Sequence, residues 1–134
     1  TNIVEEVLFL SVDDVLLLHR DTIDSDGDSP GVRDHGLLDA AVAMPRQQFG
    51  GKYLHEDVAA MAAAYMFHIA QNHPFVDGNK RAAVLSALVF LNVNGIETLP
   101  DPKELESVTL QLAAGEMGKD VLTRWLRNQI SGKK

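Results

Sequence analysis

The nine residues His73-Pro74-Phe75-Val76-Asp77-Gly78-Asn79-Lys80-Arg81 separate two strongly apolar stretches and decide how the chain folds there. No Asp, Glu, Lys or Arg occurs from Val58 to Val76, and from Ala82 to Leu91 only Ser86 is polar. Proline lacks a backbone N–H and therefore ends the first stretch as a helix. The nine residues thus predict a loop between two buried helices, with the second helix beginning at Asn79.

Two cations stand in the first turn of that second helix. The helix dipole disfavours Lys80 and Arg81 there by roughly 0.3–1 kcal/mol each. An anion on the backbone N–H groups of the helix start would compensate, because the amides, the dipole and both side chains would converge on one negative charge. The pattern favours a phosphate site, and the alternative is a pair of solvated surface charges.

The residues before the cations have types suited to phosphate chemistry. His73 is a candidate general base, with capping of the preceding helix as the plainer alternative. Asp77 is a candidate Mg²⁺ ligand, and its alternative is the N-cap of the next helix. Gly78 permits close approach of the backbone to phosphate, and Asn79 can hold the loop by hydrogen bonds. Phe75 is expected to be a buried anchor and not a nucleotide stacker.

These nine residues match every position of the Fic/Doc superfamily signature, His-x-Phe-x-(Asp/Glu)-(Gly/Ala)-Asn-(Gly/Lys)-Arg. The chain resembles the Doc (death-on-curing) toxin branch, because Lys80 stands where the AMP-transferring Fic branch has glycine. Segments 9–19, 31–51, 53–81 and 110–126 also read like that branch. The resemblance implies one Fic/Doc domain over residues 1–134.

The resemblance implies a kinase reaction. In Fic-type enzymes the histidine deprotonates a target hydroxyl that attacks the α-phosphate of ATP. In Doc-type toxins the lysine obstructs that phosphate seat, so ATP binds reversed and the γ-phosphate passes to elongation factor Tu. Val84 favours the same conclusion, since AMP-transferring members usually carry a second arginine there. The alternatives are an AMP or other nucleotidyl transferase and a non-catalytic binding module.

The resemblance also implies roles for single residues. His73 would be the base, Asp77 the Mg²⁺ ligand, Asn79 a loop and phosphate contact, and Lys80 with Arg81 the phosphate clamp. ATP and Mg²⁺ are the expected substrate and metal.

The segment between Pro45 and Leu54 loses helical periodicity and predicts a short hairpin or an irregular loop. In the family a flap at this position aligns the target by strand-like pairing, so the resemblance implies a flap at Phe49, Gly50 and Gly51. A plain connector is the alternative.

The family is inhibited by a helix of pattern (Ser/Thr)-x-x-x-Glu-(Gly/Asn). Thr1 and Glu5 match it loosely, but Glu6 breaks it. We therefore expect inhibition in trans by a small antitoxin, whose tail would order in a groove between the first helices.

Periodicity and capping signals predict an all-α, compact Fic-like fold with a buried central helix and a short flap before the motif-bearing helix pair. Ser11 with Asp14 resembles a capping box. The fourth helix is expected to be buried on most sides, and the last to turn Val121, Leu122, Trp125 and Leu126 inward. The predicted helices are Val12–Ile23, Asp34–Met44, Glu56–Asn72, Asn79–Asn94, one starting at Asp101-Pro102, and Lys119–Ile130.

Bulk properties restrict the class of protein. A length of 134 residues suits one domain, and a net charge of -7 with a pI near 5.0 argues against direct nucleic-acid binding. No signal peptide or membrane span is visible, so a cytoplasmic protein is expected. No P-loop or dinucleotide glycine motif occurs. A zinc hydrolase is disfavoured, because His68 and His73 would point to different helix faces.

Overall fold

Six helices and one small hairpin make up residues 6–26 and 31–131, the part of the chain that this computed structural model describes. The all-α prediction is confirmed. The loose match at Thr1 and Glu5 lies outside the described residues. The elements are α1 (Val12–Asp26), α2 (His35–Ala43), a 3₁₀ turn (Met44–Arg46), β1 (Gln48–Phe49), β2 (Lys52–Tyr53), α3 (Val58–Asn72), α4 (Asn79–Val93), α5 (Pro102–Ala113) and α6 (Lys119–Ile130).

Side-chain caps fix most helix starts. The predicted capping box of α1 is confirmed: the Ser11 amide donates to the Asp14 carboxylate at 2.8 Å, and the Asp14 amide donates to the Ser11 hydroxyl at 3.1 Å. Asp34, Asp57 and Asp101 each accept a hydrogen bond from the amide three residues later. These caps place the starts of α2 and α3 one to two residues later than predicted, and α1 extends three residues beyond its predicted end.

Helix α3 occupies the centre of the fold. Every residue from Ala59 to Met66 is buried, as are Ile69 and Ala70. Helices α2, α4, α5 and α6 all contact it. Five alanines between positions 59 and 64 explain this burial, because small side chains let neighbouring helices approach from several directions.

From Ala82 to Leu91 no residue of α4 is exposed, so the prediction that this helix is buried on most sides is confirmed there. Its fully buried residues share one face: Ala82, Ala83, Ser86, Ala87, Phe90 and Leu91. Val84 and Leu85 are half-buried and line a cavity, and Val84 also packs against the core. The end of α4 is as expected, because Gly95 has φ +89° directly after the C-cap Asn94. On α6, Leu122 and Leu126 are buried, whereas Val121 is 44% exposed and does not turn inward.

The segment after the 3₁₀ turn is a hairpin and not an irregular loop. Gln48 pairs with Tyr53 and Phe49 pairs with Lys52, in antiparallel register. Gly50 and Gly51 have φ of +61° and +81°, the left-handed conformations that a two-residue hairpin turn of type I′ requires.

Within the described ranges, no helix combines the length and the apolar character that crossing a membrane demands.

Candidate active site

The motif residues line an open cavity of about 710 Å³ between the start of α4 and helix α5. His73, Asp77, Gly78, Asn79, Lys80 and Arg81 all contribute to its wall. Val76, Val84 and Leu85 extend that side with apolar surface. The opposite wall belongs to α5, through Pro102, Leu105, Glu106, Thr109 and Leu110.

His73 lies at the C-cap of α3, where the chain turns sharply towards the cavity. Its φ of +48° and ψ of +55° are left-handed, and it is the one non-glycine residue with positive φ in the described ranges. The side chain is exposed. Arg33 donates to the His73 carbonyl oxygen at 2.7 Å and to the Asn72 carbonyl oxygen at 2.8 Å. The histidine thus caps α3 through its backbone, which leaves the imidazole for chemistry at the cavity wall.

The start of α4 is formed by Gly78 and not by Asp77. Gly78 is the N-cap residue, with φ +81°, so the alternative that Asp77 is the N-cap is wrong. A glycine has no side chain with which to satisfy the first amides of the helix. Asp77 is exposed and lines the cavity beside those amides. The start of α4 therefore has the character of an anion site, with a carboxylate next to it.

Asn79 closes the motif loop on itself. Its side-chain oxygen accepts from the Phe75 amide at 2.8 Å, and its Nδ2 donates to the Phe75 carbonyl oxygen at 2.9 Å. Phe75 is 1% exposed and anchors the loop in the core. Because Nδ2 carries two hydrogens, one remains for a second acceptor.

The loop is also paired with the segment that precedes α2. The amides of Arg33 and Asp34 donate to the Pro74 carbonyl oxygen at 2.7 and 3.1 Å, and the Val76 amide donates to the Gly31 carbonyl oxygen at 3.1 Å. These bonds add to those that Asn79 makes within the loop. Its geometry is therefore determined before any ligand binds.

A buried histidine of α1 contacts the same loop. His19 is 4% exposed, and its Nε2 lies 2.7 Å from the Asp77 carbonyl oxygen. Its ring stacks on Phe75, with centroids 3.7 Å apart and planes 7° apart.

Lys80 and Arg81 occupy the first turn of α4, and both are exposed. The structure thus has both cations at the positive end of the helix dipole, on the wall of the cavity. An anion there would be attracted by the two side chains and by the helix start together.

The residues present fit Mg²⁺ bound together with phosphate. No group of three or more His, Cys, Asp or Glu that could hold a metal occurs among residues 6–26 and 31–131. Asp77 is the carboxylate at the start of α4. Mg²⁺ commonly binds one or two carboxylates, with substrate phosphates and water completing its octahedron. Asp77 can serve as the protein ligand of such an ion.

The hairpin does not line the cavity. Phe49, Gly50 and Gly51 are all exposed, Phe49 by 80%, yet the cavity wall comes from the motif loop, α4 and α5. The Tyr53 ring packs on Phe9 with centroids 5.5 Å apart, and Phe9 stacks on Phe90 at 5.9 Å. Phe90 lies about 16 Å along α4 from Asn79. The flap role remains a prediction.

A pair of histidines, His68 of α3 and His55 just before α3, contacts Lys119 of α6 away from the cavity. Lys119 Nζ is 3.1 Å from His55 Nε2 and 3.0 Å from His68 Nε2. Burial and the neighbouring Lys119 charge lower the pKa of His68 to about 4, and the same causes lower the pKa of His55. Burial lowers the pKa of Lys119 as well. His68 is thus engaged away from His73, which lies at the cavity.

Sequence reasoning missed three parts of the site. His19 follows Val12, Val15 and Leu16 at helical spacing, and a histidine on an apolar face is a signal for a buried hydrogen bond. Arg33 carries no such signal. The α5 wall is also invisible in sequence, because nothing local shows which helix faces the motif.

The chain is similar to one protein family and to two known proteins. A protein-family model described as the Fic/DOC family matches residues 9–91. The chain is 46% identical over 70 residues to "Toxin Doc" of Mycolicibacterium smegmatis, a match that covers 52% of this chain and 54% of that protein. The chain therefore spans about half the length of that relative. It is 31% identical over 118 residues to "Protein kinase doc" of Escherichia phage P1, covering 88% of this chain and 92% of the phage protein. The chain belongs to the Fic/DOC family.

Proposed function

We propose that this protein is the toxin of a toxin–antitoxin pair, a protein kinase that transfers the γ-phosphate of ATP to a hydroxyl of a translation factor. One observation carries the proposal. His73, Asp77 and the start of α4, with its two cations, line the same cavity. The names of the two relatives, a toxin and a protein kinase, support it.

The proposed reaction gives each of these groups one role. His73 takes the proton of the target hydroxyl, and that oxygen forms a bond to the γ-phosphorus of ATP. The bond between the γ-phosphorus and the β,γ-bridging oxygen breaks, and ADP leaves. The amides at the start of α4, with Lys80 and Arg81, hold the phosphate oxygens whose charge shifts during transfer. Asp77 would hold Mg²⁺, which would neutralise phosphate charge when bound.

Lys80 and Val84 favour phosphate transfer over AMP transfer. Lys80 brings a side chain and a charge to a position where the AMP-transferring branch has glycine. Val84 lines the cavity as apolar surface, at the position where that branch usually has a second arginine. Arginine recognises phosphate oxygens with a bidentate fork, which valine cannot replace. AMP transfer is therefore the second candidate.

The proposed target is elongation factor Tu, and the proposed inhibitor is a small antitoxin acting in trans. The target comes from the family resemblance alone, and the inhibitor comes from that resemblance and from the name of the Mycolicibacterium relative, a toxin. The hairpin, with Phe49 80% exposed and Gly50 and Gly51 at its turn, is the proposed contact for the target. A strand edge pairs readily with an extended segment of another chain.

The test is intact-mass spectrometry of elongation factor Tu after incubation with this protein, ATP and Mg²⁺. We expect the mass of one phosphate to be added, and expect His73→Ala to abolish the addition. The matched control is His35→Ala, an exposed histidine of α2 outside the cavity wall, which should leave transfer unchanged. Addition of one AMP would establish the second candidate. Nucleotide binding with no modified factor would contradict this target and favour a binding module.

A further inference from the structure

One buried side chain beneath the motif loop has no role in the chemistry proposed above. His19 of α1 is 4% exposed, and its Nε2 lies 2.7 Å from the backbone oxygen of Asp77. A carbonyl oxygen only accepts hydrogen bonds, so Nε2 carries the hydrogen and donates it. This bond joins a helix near the beginning of the chain to the motif, 58 residues later.

The same imidazole contacts the loop at two further points. Its face stacks on Phe75 at a centroid distance of 3.7 Å. Its Cδ2 and Nε2 lie so close to Gly78 that an added Cβ there would be 3.4 Å from both atoms. His19 therefore fits against the loop from Phe75 to Gly78, and a side chain at position 78 would press on the ring.

The bond to Asp77 determines the direction of the next amide. The peptide between Asp77 and Gly78 is planar and trans, so its C=O and its N–H point in opposite directions. Since the carbonyl points at His19, the Gly78 N–H points away from α1. Gly78 is the N-cap of α4 and lines the cavity. The orientation of an amide at the proposed phosphate seat thus depends on His19.

We propose that His19 is a positioning residue for phosphate binding and transfer. It acts by fixing the Asp77–Gly78 peptide and does not touch the substrate. The inference rests on the proposed function, because it takes the start of α4 as the phosphate seat. Without the donor on His19, that peptide would rotate easily, since Gly78 has wide conformational freedom. The Gly78 amide and the Asp77 side chain would then be displaced together.

Two substitutions separate the hydrogen bond from the packing. His19→Phe keeps an aromatic ring on Phe75 and removes the donor. His19→Gln removes the ring and keeps a side-chain N–H at similar reach. Val15→Ala is the control, because Val15 is 0% exposed on the same helix and does not line the cavity. Urea unfolding of each variant shows whether it is folded.

The readouts are the dissociation constant of ATP with Mg²⁺, the rate of transfer, and the amide resonance of Gly78 in ¹⁵N-edited NMR spectra. We expect His19→Phe to bind about tenfold more weakly, the change expected for one lost hydrogen bond. His19→Gln should recover most of that affinity. The Gly78 resonance should shift in His19→Phe and return towards its wild-type position in His19→Gln. Val15→Ala should change none of these three quantities.

Wild-type affinity and an unshifted Gly78 resonance in His19→Phe would overturn the proposal, as would an equal loss in Val15→Ala. If the wild-type protein bound no nucleotide, the proposed function would fail, and the Gly78 resonance would then show only whether His19 fixes the Asp77–Gly78 peptide. If His19→Phe did not fold, the Gly78 resonance of His19→Gln would test the proposal. A wild-type Gly78 resonance there would support the role of the donor, and a displaced one would overturn it.

Discussion

Arg33 holds the backbone of His73 with a two-pronged contact across 40 residues of sequence. Its Nε donates to the His73 carbonyl oxygen at 2.7 Å, and its Nη2 donates to the Asn72 carbonyl oxygen at 2.8 Å. A left-handed conformation costs a non-glycine residue roughly 1–2 kcal/mol. Hydrogen bonds from a charged group offset such a cost. The backbone position of His73, the candidate base, is thus stabilised by Arg33, which lies outside the motif.

Replacing Arg33 should impair transfer more than nucleotide binding. Arg33→Ala removes both bonds and lets the end of α3 fray, so the His73 ring spends less time in its reactive position. We expect the rate of transfer to fall about tenfold, which corresponds to an activation free energy higher by about 1.4 kcal/mol. The dissociation constant of ATP should change little. Steady-state kinetics with titration of ATP measures both quantities. Arg20→Ala, an exposed arginine of α1, is the control. An equal loss in the rate of transfer in Arg33→Ala and Arg20→Ala would contradict a specific role for Arg33.

Lys80 should decide which phosphate is transferred. Lys80→Gly introduces the residue of the AMP-transferring branch and removes the side chain that, by the family resemblance, would obstruct the phosphate seat of that branch. We expect addition of phosphate to the target to decrease by at least about tenfold, and addition of AMP to become detectable. Intact-mass spectrometry of the target distinguishes the two products. Lys103→Gly, at an exposed lysine of α5 outside the cavity wall, is the control. Undiminished phosphate transfer in Lys80→Gly would show that the lysine does not determine nucleotide orientation.

The hydroxyl of Tyr65 should contribute to the stability of the fold. Its hydroxyl accepts from the Leu10 amide at 2.8 Å and donates to the Leu10 carbonyl oxygen at 3.2 Å, and burial raises the pKa of Tyr65 to about 12. Tyr65→Phe leaves both backbone groups buried without this partner, so we expect a loss of about 1–3 kcal/mol in the free energy of unfolding. Urea denaturation measures it. Tyr53→Phe, on the exposed hairpin, should change stability by less than about 0.5 kcal/mol.

Acid should weaken the contact between α3 and α6. The pKa of His68 is lowered from 6.5 to about 4 in the folded protein, and that of His55 is lowered too. The unfolded chain therefore binds protons that the folded protein excludes, and stability falls as pH decreases from about 6.5 towards 4. Protonated imidazoles would also repel Lys119, which contacts both rings. Urea midpoints measured between pH 7 and pH 4 should show the decline.

The control for this pH dependence is His68→Phe, which removes the histidine whose pKa is lowered to about 4. Its urea midpoint should change less with pH than that of the wild-type protein. An equally steep decline in the variant would assign the acid sensitivity to other groups. The exposed His35→Phe should leave the wild-type slope intact.

The hairpin should matter for the protein target and not for the nucleotide. Phe49 is 80% exposed, so Phe49→Ser should leave the free energy of unfolding nearly unchanged. If the hairpin pairs with the target, the KM for elongation factor Tu should rise about tenfold or more, while the dissociation constant of ATP stays the same. Val121→Ser, an exposed apolar residue on α6, is the control. An unchanged KM in Phe49→Ser would support the plain connector.

Local signals in the sequence were sufficient for the elements and for the motif. Capping residues such as Ser11 with Asp14, the breaks at Pro74 and Gly95, and helical periodicity act within a few residues, so they can be interpreted without knowledge of the fold. The same holds for Lys80 and Arg81, whose unfavourable place at a helix start is visible as soon as the start is known.

Tertiary structure decided how these elements meet. The sequence shows two strongly apolar helices, α3 and α4, but not which of them is central. In the structure α3 is central, because its alanines allow close approach on several sides, whereas Val84 and Leu85 of α4 line a cavity. The contacts of His19 with Asp77 and of Arg33 with His73 span 58 and 40 positions. Such contacts depend on which helix faces pack together, and periodicity along one segment carries no information about its partner.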